Sequence, residues 1–287
     1  MIGAEFLSGT GLGNQLWNYC VAKSVAEELD EDFFLLGEDL YLGNGFLEID
    51  TKNSFSQNKI KELQLSYFDE RCYFDKEIDF FSFGFDERIL NIKPNTILRG
   101  CFQDERYFFG KNSRFNKYIK LKNEYINKYS IEEDVCILNI RGGEYKNIKN
   151  FILPKSYWTN GIKNMKSIAG INKFIIVTDD RKYAKLLFPN LPIISGNIGA
   201  CFSTIYNAKY CILSNSSFPY FAVQSGEKPN LVIAPKYFCN FNNILERWAS
   251  PCNLYSDWHY QNKEGLLENY QVCKDKALKD ELNYQNE

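Results

Sequence analysis

An arginine leaves a very apolar stretch beside two glycines in Asn139-Ile140-Arg141-Gly142-Gly143-Glu144-Tyr145. A guanidinium so placed can reach two phosphate oxygens at once, and the glycines keep the approach to it open. A surface arginine in a turn would read the same way. In Asn215-Ser216-Ser217-Phe218, two hydroxyls and the N–H groups of a helix start could hold a phosphate, with plain N-capping as the alternative. Thr178-Asp179-Asp180 supplies a carboxylate for the N–H edge of guanine or for ribose hydroxyls, or else a helix cap. Gly11-Leu12-Gly13-Asn14-Gln15 lets the backbone turn sharply and come close to a ligand. From Gly9 it matches a dinucleotide fingerprint only in its first two glycines, and no GK[ST] completes a phosphate loop. The fifth group, Gly100 to Phe108, has no generic chemical signature and reads as core plus loop.

Four of these groups follow directly on a strand candidate, where an α/β protein places its ligand contacts. Ile2 to Leu7 reads as a strand, and Trp17, Val21, Val25 and Leu29, widened by Leu16 and Cys20, form one face of a helix from Gln15 to Leu29. With a second strand at Phe33 to Leu36 this makes a βαβ unit. From Tyr41 to Lys93 no period is sustained. A strand is expected at Thr96 to Cys101 and a helix from Arg114 to Tyr129, with a domain boundary at Ser130 to Glu133. Further strands at Val135 to Ile140, Phe174 to Val177, Pro192 to Ser195, Tyr210 to Leu213 and Leu231 to Ala234 predict a doubly wound second domain. Gly265 to Glu287 reads as a polar helix.

In their order and rough spacing over residues 2 to 237, the five groups resemble glycosyltransferase family 11, the bacterial α-1,2-fucosyltransferases, and more distantly the α-1,6- and protein O-fucosyltransferases. Gly11 to Gln15 is similar to the family's GLGNQ loop and Gly100 to Phe108 to its GYxQxxxYF-like segment. Asn139 to Tyr145 stands at HxRRGDY, Val177 to Asp180 at a strand ending in SDD, and Asn215 to Phe221 at NSSFSWW. The resemblance implies an α/β, GT-B-like fold of two Rossmann-like domains facing a cleft, an acceptor-side domain over 1–130 and a donor domain over 131–287. It also implies GDP-fucose as donor and an inverting transfer to a glycan hydroxyl, in α-1,2 linkage, in surface polysaccharide synthesis, without metal or cofactor. Arg141 would hold the β-phosphate with help from Ser216 and Ser217, Asp179 would contact the base, and Asn14 would approach the donor from the first domain. Gly11, Gly13, Asn139 and Asn215 belong to the same motifs, and Glu144 is the nearest candidate for the catalytic base, or else orients Arg141.

The departures are specific. Asn139 and Gly142 replace the family's His and second Arg, Glu144 its Asp, and Tyr220-Phe221 its paired tryptophans. One arginine fewer removes a charge-assisted contact worth roughly 1.5 to 3 kcal/mol. Another nucleotide sugar, or a non-catalytic glycan- or nucleotide-binding relative, is the alternative. The opening βαβ unit taken alone would suit a nucleotide-binding oxidoreductase with Glu38 or Asp39 on a ribose.

Composition narrows the classes. A formal net charge of -2 argues against a nucleic-acid partner held by bulk charge. Nine cysteines, odd in number and never two residues apart, predict neither a metal site nor a disulfide framework. With His259 as the single histidine, a catalytic triad or multi-His metal centre cannot be assembled. Asp30-Glu31-Asp32 spells a metal-binding DxD but sits among charges at a helix end, as a solvated turn would. The 23 Phe and 19 Tyr point to an AT-rich gene or to a sugar-stacking surface. No basic region precedes a long apolar stretch at the start, so a cytoplasmic enzyme is expected, peripheral at the inner face of the cell membrane where an oligosaccharide or lipid-linked glycan is the acceptor.

Overall fold

β1 (Ile2–Glu5) and β2 (Phe33–Leu36) pair in parallel, and α1 (Leu12–Glu28) crosses between them. The computed structural model describes residues 1–55, 64–109, 117–242, 244–248 and 252–285. β3 (Leu47–Ile49), β4 (Ser54–Phe55), β5 (Ser66–Asp69), β6 (Cys72–Asp75), β7 (Phe80–Phe83) and β8 (Thr96–Arg99) follow. The first sheet is all parallel, in the order β4-β2-β1-β8-β5. α1 is buried on nearly every side rather than along the single face its spacing predicts, because it lies between this sheet and the second half of the chain. Trp17 at its middle stacks on Tyr255 at 5.7 Å and meets Phe221 edge-on at 5.5 Å. Much of the aromatic excess is spent here, in one core that runs through both halves.

The helix expected over Arg114 to Tyr129 is replaced by a strand and a shorter helix. Residues 110–116 lie outside the described residues, β9 (Ile119–Leu121) pairs antiparallel with β3, and α2 is confined to Asn123–Lys128. Ile119 and Leu121 point inward with Lys120 out, a period of two that the helical reading passed over.

The second sheet begins with β10 (Val135–Ile140), buried at every position as a central parallel strand should be. α3 (Lys155–Ala169) starts after Pro154 and stops at Gly170, whose φ of 69° closes the helix. β11 (Lys173–Thr178), α4 (Arg181–Leu187), β12 (Ile193–Ser195), α5 (Ile198–Tyr206), β13 (Tyr210–Leu213), α6 (Ser217–Ser225) and β14 (Leu231–Pro235) complete the winding. Next come β15 (His259–Gln261), the antiparallel β16 (Leu267–Asn269) and α7 (Tyr270–Gln285), for a final order of β12-β11-β10-β13-β14-β15-β16. The terminal helix thus begins later than Gly265, which instead makes the β15–β16 turn at φ 89°. No helix among the described residues is long and apolar enough to cross a membrane.

Each half sends one element onto the other. The β6–β7 hairpin of the first half reaches the second, where Phe80 packs on Phe151 at 5.2 Å, Asp79 pairs with Lys149 at 2.7 Å and Asp75 with Arg247 at 2.6 Å. In return α7 lies against the first half: Glu281 pairs with Arg106 at 3.1 Å and accepts from the Phe85 N–H at 3.1 Å, while the Tyr270 hydroxyl bonds Glu105.

Candidate active site

Sheet order decides where a ligand can enter. In the second sheet the order turns back between β10 and β13, and in the first between β1 and β8. Such switch points open a crevice outside the carboxyl ends of the strands. Arg141 leaves β10 and Ser214 to Ser217 leave β13, while the glycine loop leaves β1 and Gly100 to Phe108 leave β8. The two crevices face each other across a cleft of about 630 Å³, lined from one side by Gly9 to Asn14 and Leu42 and from the other by Asn139 to Arg141, Glu144, Tyr145, Asp179 and Ser216 to Pro219. That volume is in the range of small-molecule sites.

Arg141 is the one basic residue among the described residues lining this cleft. Its Nη1 pairs with Asp179 Oδ2 and its Nη2 with Glu144 Oε1, both at 2.7 Å, and its charge centre lies 5.1 Å from the middle of the Tyr145 ring. One positive and two negative groups leave this triad at a formal charge of -1. Asp179 is fixed twice, since its Oδ1 also accepts from the Gly142 N–H at 2.9 Å, whereas among the described residues Glu144 pairs with Arg141 alone and is 69% exposed. Gly142 admits no larger residue without a shift: an added Cβ would sit 2.7 Å from Asp180 Cβ and 3.0 Å from the Tyr183 ring. The second arginine of the related motif has no room there.

Two uncapped helix starts open on the same cleft. α4 is capped by its own Asp180, which accepts from Tyr183 N at 3.0 Å, and α5 by Asn197, which accepts from Ala200 N at 2.8 Å. α1, behind Gly11, and α6, behind Ser216, have no side-chain cap. Their first N–H groups have no intrahelical acceptor and carry the positive end of the helix dipole. The two starts touch at Gly13, where a Cβ would lie 2.5 Å from the Phe218 nitrogen and 2.7 Å from Ser217 Oγ. Asn14 stands at the same junction; its Oδ1 accepts from Gln103 Nε2 at 2.9 Å, which leaves its amide N–H groups for the cleft.

Two residues of the motifs are spent on the scaffold. Asn139 lies at the cleft floor, but its amide donates to the Val177 carbonyl at 3.3 Å and its oxygen accepts from Ser214 at 2.7 Å. Asn215 donates to the carbonyls of Phe151 and Phe238 and is absent from the lining. Its amide ties two loops beneath the site. Sequence reasoning missed Gly196, Asn197 and Cys201, which complete one wall; an asparagine after a strand and glycine was the available signal. Glu38 and Asp39 are exposed in a 3-10 turn after β2 and line no part of the cleft.

The Gly100 to Phe108 segment proves to be the support for Asn14. Glu70 is buried and accepts the N–H groups of Cys101 at 2.7 Å and Phe102 at 2.9 Å on one oxygen, while its other oxygen faces the Tyr107 hydroxyl. This holds Phe102 at a φ of 48° and sets Gln103 against Asn14. Burial pushes the Glu70 carboxyl up to about 7 against the pull of those three donors. The folded chain then binds this proton more tightly than the unfolded one, so the stability it contributes is full below about 4.5 and is lost as pH rises toward 7. Glu70→Gln keeps a single acceptor oxygen for both N–H groups and cannot titrate. Thermal unfolding from pH 4.5 to 7.5 should show wild type losing on the order of 3 kcal/mol relative to this variant. Parallel curves would dismiss the shift.

No protein-family model matches the chain, and no curated protein sequence does. Among solved structures it is similar to POFUT1 in complex with GDP-fucose, with a TM-score of 0.50 at 8% identity over 81% of this chain and 97% of that one. The fold is GT-B-like. It is also similar to fucosyltransferase NodZ from Bradyrhizobium, with a TM-score of 0.46 at 13% identity over 78% of this chain and 93% of that one. Two Rossmann-like sheets facing a cleft are therefore the shared architecture.

Proposed function

We propose that the chain is a glycosyltransferase that moves a sugar, L-fucose from GDP-fucose, to a glycan hydroxyl, as a relative of glycosyltransferase family 11. The observation that carries this reading is the meeting of two uncapped helix starts at Gly13 and Ser217, beside Arg141. Unpaired N–H groups, dipole ends and a guanidinium converge there, and a diphosphate is the ligand group that satisfies all three. The first half of the chain acts as the acceptor side and the second as the donor side.

As the acceptor oxygen bonds the anomeric carbon, the bond from that carbon to the β-phosphate oxygen breaks, and the electron pair leaves with GDP. The charge that builds on the leaving group is stabilised by Arg141, by Ser216 and Ser217 and by the α1 and α6 N–H groups. Asn14 contributes its amide hydrogens from the opposite wall. Inversion and an α-1,2 linkage follow from the motif resemblance, as do a lipid-linked or oligosaccharide acceptor in surface polysaccharide synthesis and a cytoplasmic site of action at the inner membrane face.

One observation favours a second donor. With one N–H of the Asn139 amide committed to Val177 and its oxygen accepting from Ser214, the position of the related histidine has less to offer a guanine, which suits a different nucleotide sugar. Thermal denaturation with a panel of nucleotides separates the two. GDP-fucose and GDP at about 100 times their dissociation constants should raise the melting temperature by roughly 5 to 10 °C. A shift with UDP or dTDP sugars alone would replace the donor and keep the class; no shift with any nucleotide would overturn the proposal.

A further inference from the structure

We infer that Glu144 is a carboxylate which the incoming diphosphate displaces from Arg141, so that donor binding itself releases the proton acceptor of the reaction. This rests on the reading of the cleft as a nucleotide-sugar site.

Both terminal nitrogens of Arg141 already carry a carboxylate at 2.7 Å. A diphosphate brings further negative charge to a guanidinium that already faces two carboxylates, although its Nε–H and one hydrogen on each terminal nitrogen remain to donate, and the two carboxylates are not equally held. Asp179 has a second bond, to the Gly142 N–H, and is 29% exposed; among the described residues Glu144 has no hydrogen-bond or ion-pair partner but Arg141, and it is 69% exposed. Ahead of Glu144 stands Gly143 at a φ of 26°, a conformation from which a glycine turns at little cost. Glu144 is therefore the group that leaves. Charge argues the same way: the triad repels an anion at a net -1, and departure of Glu144 leaves Arg141 and Asp179 balanced.

The freed carboxylate stays at the rim of the cleft, because Gly142 and Asp179 anchor the loop behind it. There it takes the proton of the acceptor hydroxyl as that oxygen bonds the anomeric carbon, while the electron pair of the broken sugar–phosphate bond leaves with GDP. Until the donor binds, the carboxylate is tied to Arg141 and removes no proton. Donor must then bind before acceptor can react, an order imposed by one ion pair.

The arrangement predicts a split that a residue merely orienting Arg141 would not give. Removing a competitor for the guanidinium should make GDP bind about two- to fivefold more tightly in Glu144→Gln, the range given by an exposed pair of up to ~1 kcal/mol. Turnover should fall by about 100-fold or more for want of a base. Titration calorimetry with GDP and with pyrophosphate, beside steady-state rates, reads both. Affinity equal to or weaker than wild type, or turnover within a few-fold of it, would overturn the inference while wild-type GDP binding leaves the cleft assignment standing. If wild type binds neither GDP nor pyrophosphate, both fall together. Glu144 is exposed, so the variant should melt with wild type and the comparison is between folded proteins.

Discussion

Arg141→Ala should slow turnover by about 100- to 1000-fold, the cost of removing a preorganised charge donor from a leaving group. The effect belongs at the upper end because Arg141 is the only basic side chain among the described residues of the cleft, and its loss also leaves Asp179 and Glu144 uncompensated. An anion would then meet two bare carboxylates. Arg141→Lys should fall between the two, since an ammonium keeps the charge but cannot bridge two oxygens while bonded to Asp179. GDP release from GDP-fucose, measured with and without a glycan acceptor, gives the rates. Near-normal turnover in the alanine variant would remove Arg141 from the mechanism.

Gly13→Val should be the most damaging change in the glycine loop. Its Cβ would stand 2.5 Å from the Phe218 backbone nitrogen, and backbone cannot rotate aside as a side-chain tip can. Overpacking of this kind costs about 1 to 3 kcal/mol, here roughly 2 to 10 °C in melting temperature. The larger effect is on binding, because pushing α1 from α6 separates the two sets of N–H groups that one diphosphate must span. Nucleotide affinity should drop by 100-fold or more, about 3 kcal/mol. Gly11→Ala is the control: at φ -67°, with nothing near its Cβ, it should leave the stability within about 0.5 kcal/mol of wild type. Equal nucleotide affinity in wild type and Gly13→Val would show that the helix junction does not hold the ligand.

The five parallel strands from β10 to β14 were legible as short, mostly apolar runs, whereas β15 and β16, three mixed residues each, were not. β10, β13 and β14 fall within a residue of their expected bounds. The loops that carry Arg141, Asp179, Ser216 and Ser217 follow from that, since a parallel sheet presents its carboxyl ends on one side. Residues 41 to 93 were not legible. Their strands are two to four residues long and, the β6–β7 hairpin apart, pair with partners far along the chain, as β5 does with β8, so no local period marks them. Side-chain commitments were equally hidden. Asn139 and Asn215 look like ligand contacts by position, yet Asn139 bonds the Val177 carbonyl and the Ser214 hydroxyl, and Asn215 two carbonyls, all brought close only by the fold. Glu70 gave no signal at all, because what gives it a role is the Cys101–Phe102 turn 31 residues away.

The crossed hairpin and terminal helix bear on how such chains can be recombined. A chimera that joins the first 130 residues to the second half of a relative would take the β6–β7 hairpin from one parent and the surface that receives it from the other, and likewise for α7. Asp75 would meet no counterpart of Arg247, and Glu281 none of Arg106. Exchange of halves between such chains calls for transplanting each half with its emissary: residues 72–83 travel with the receiving second half, and residues 270–285 with the first. The seam that permits exchange is drawn by contact, not by chain order.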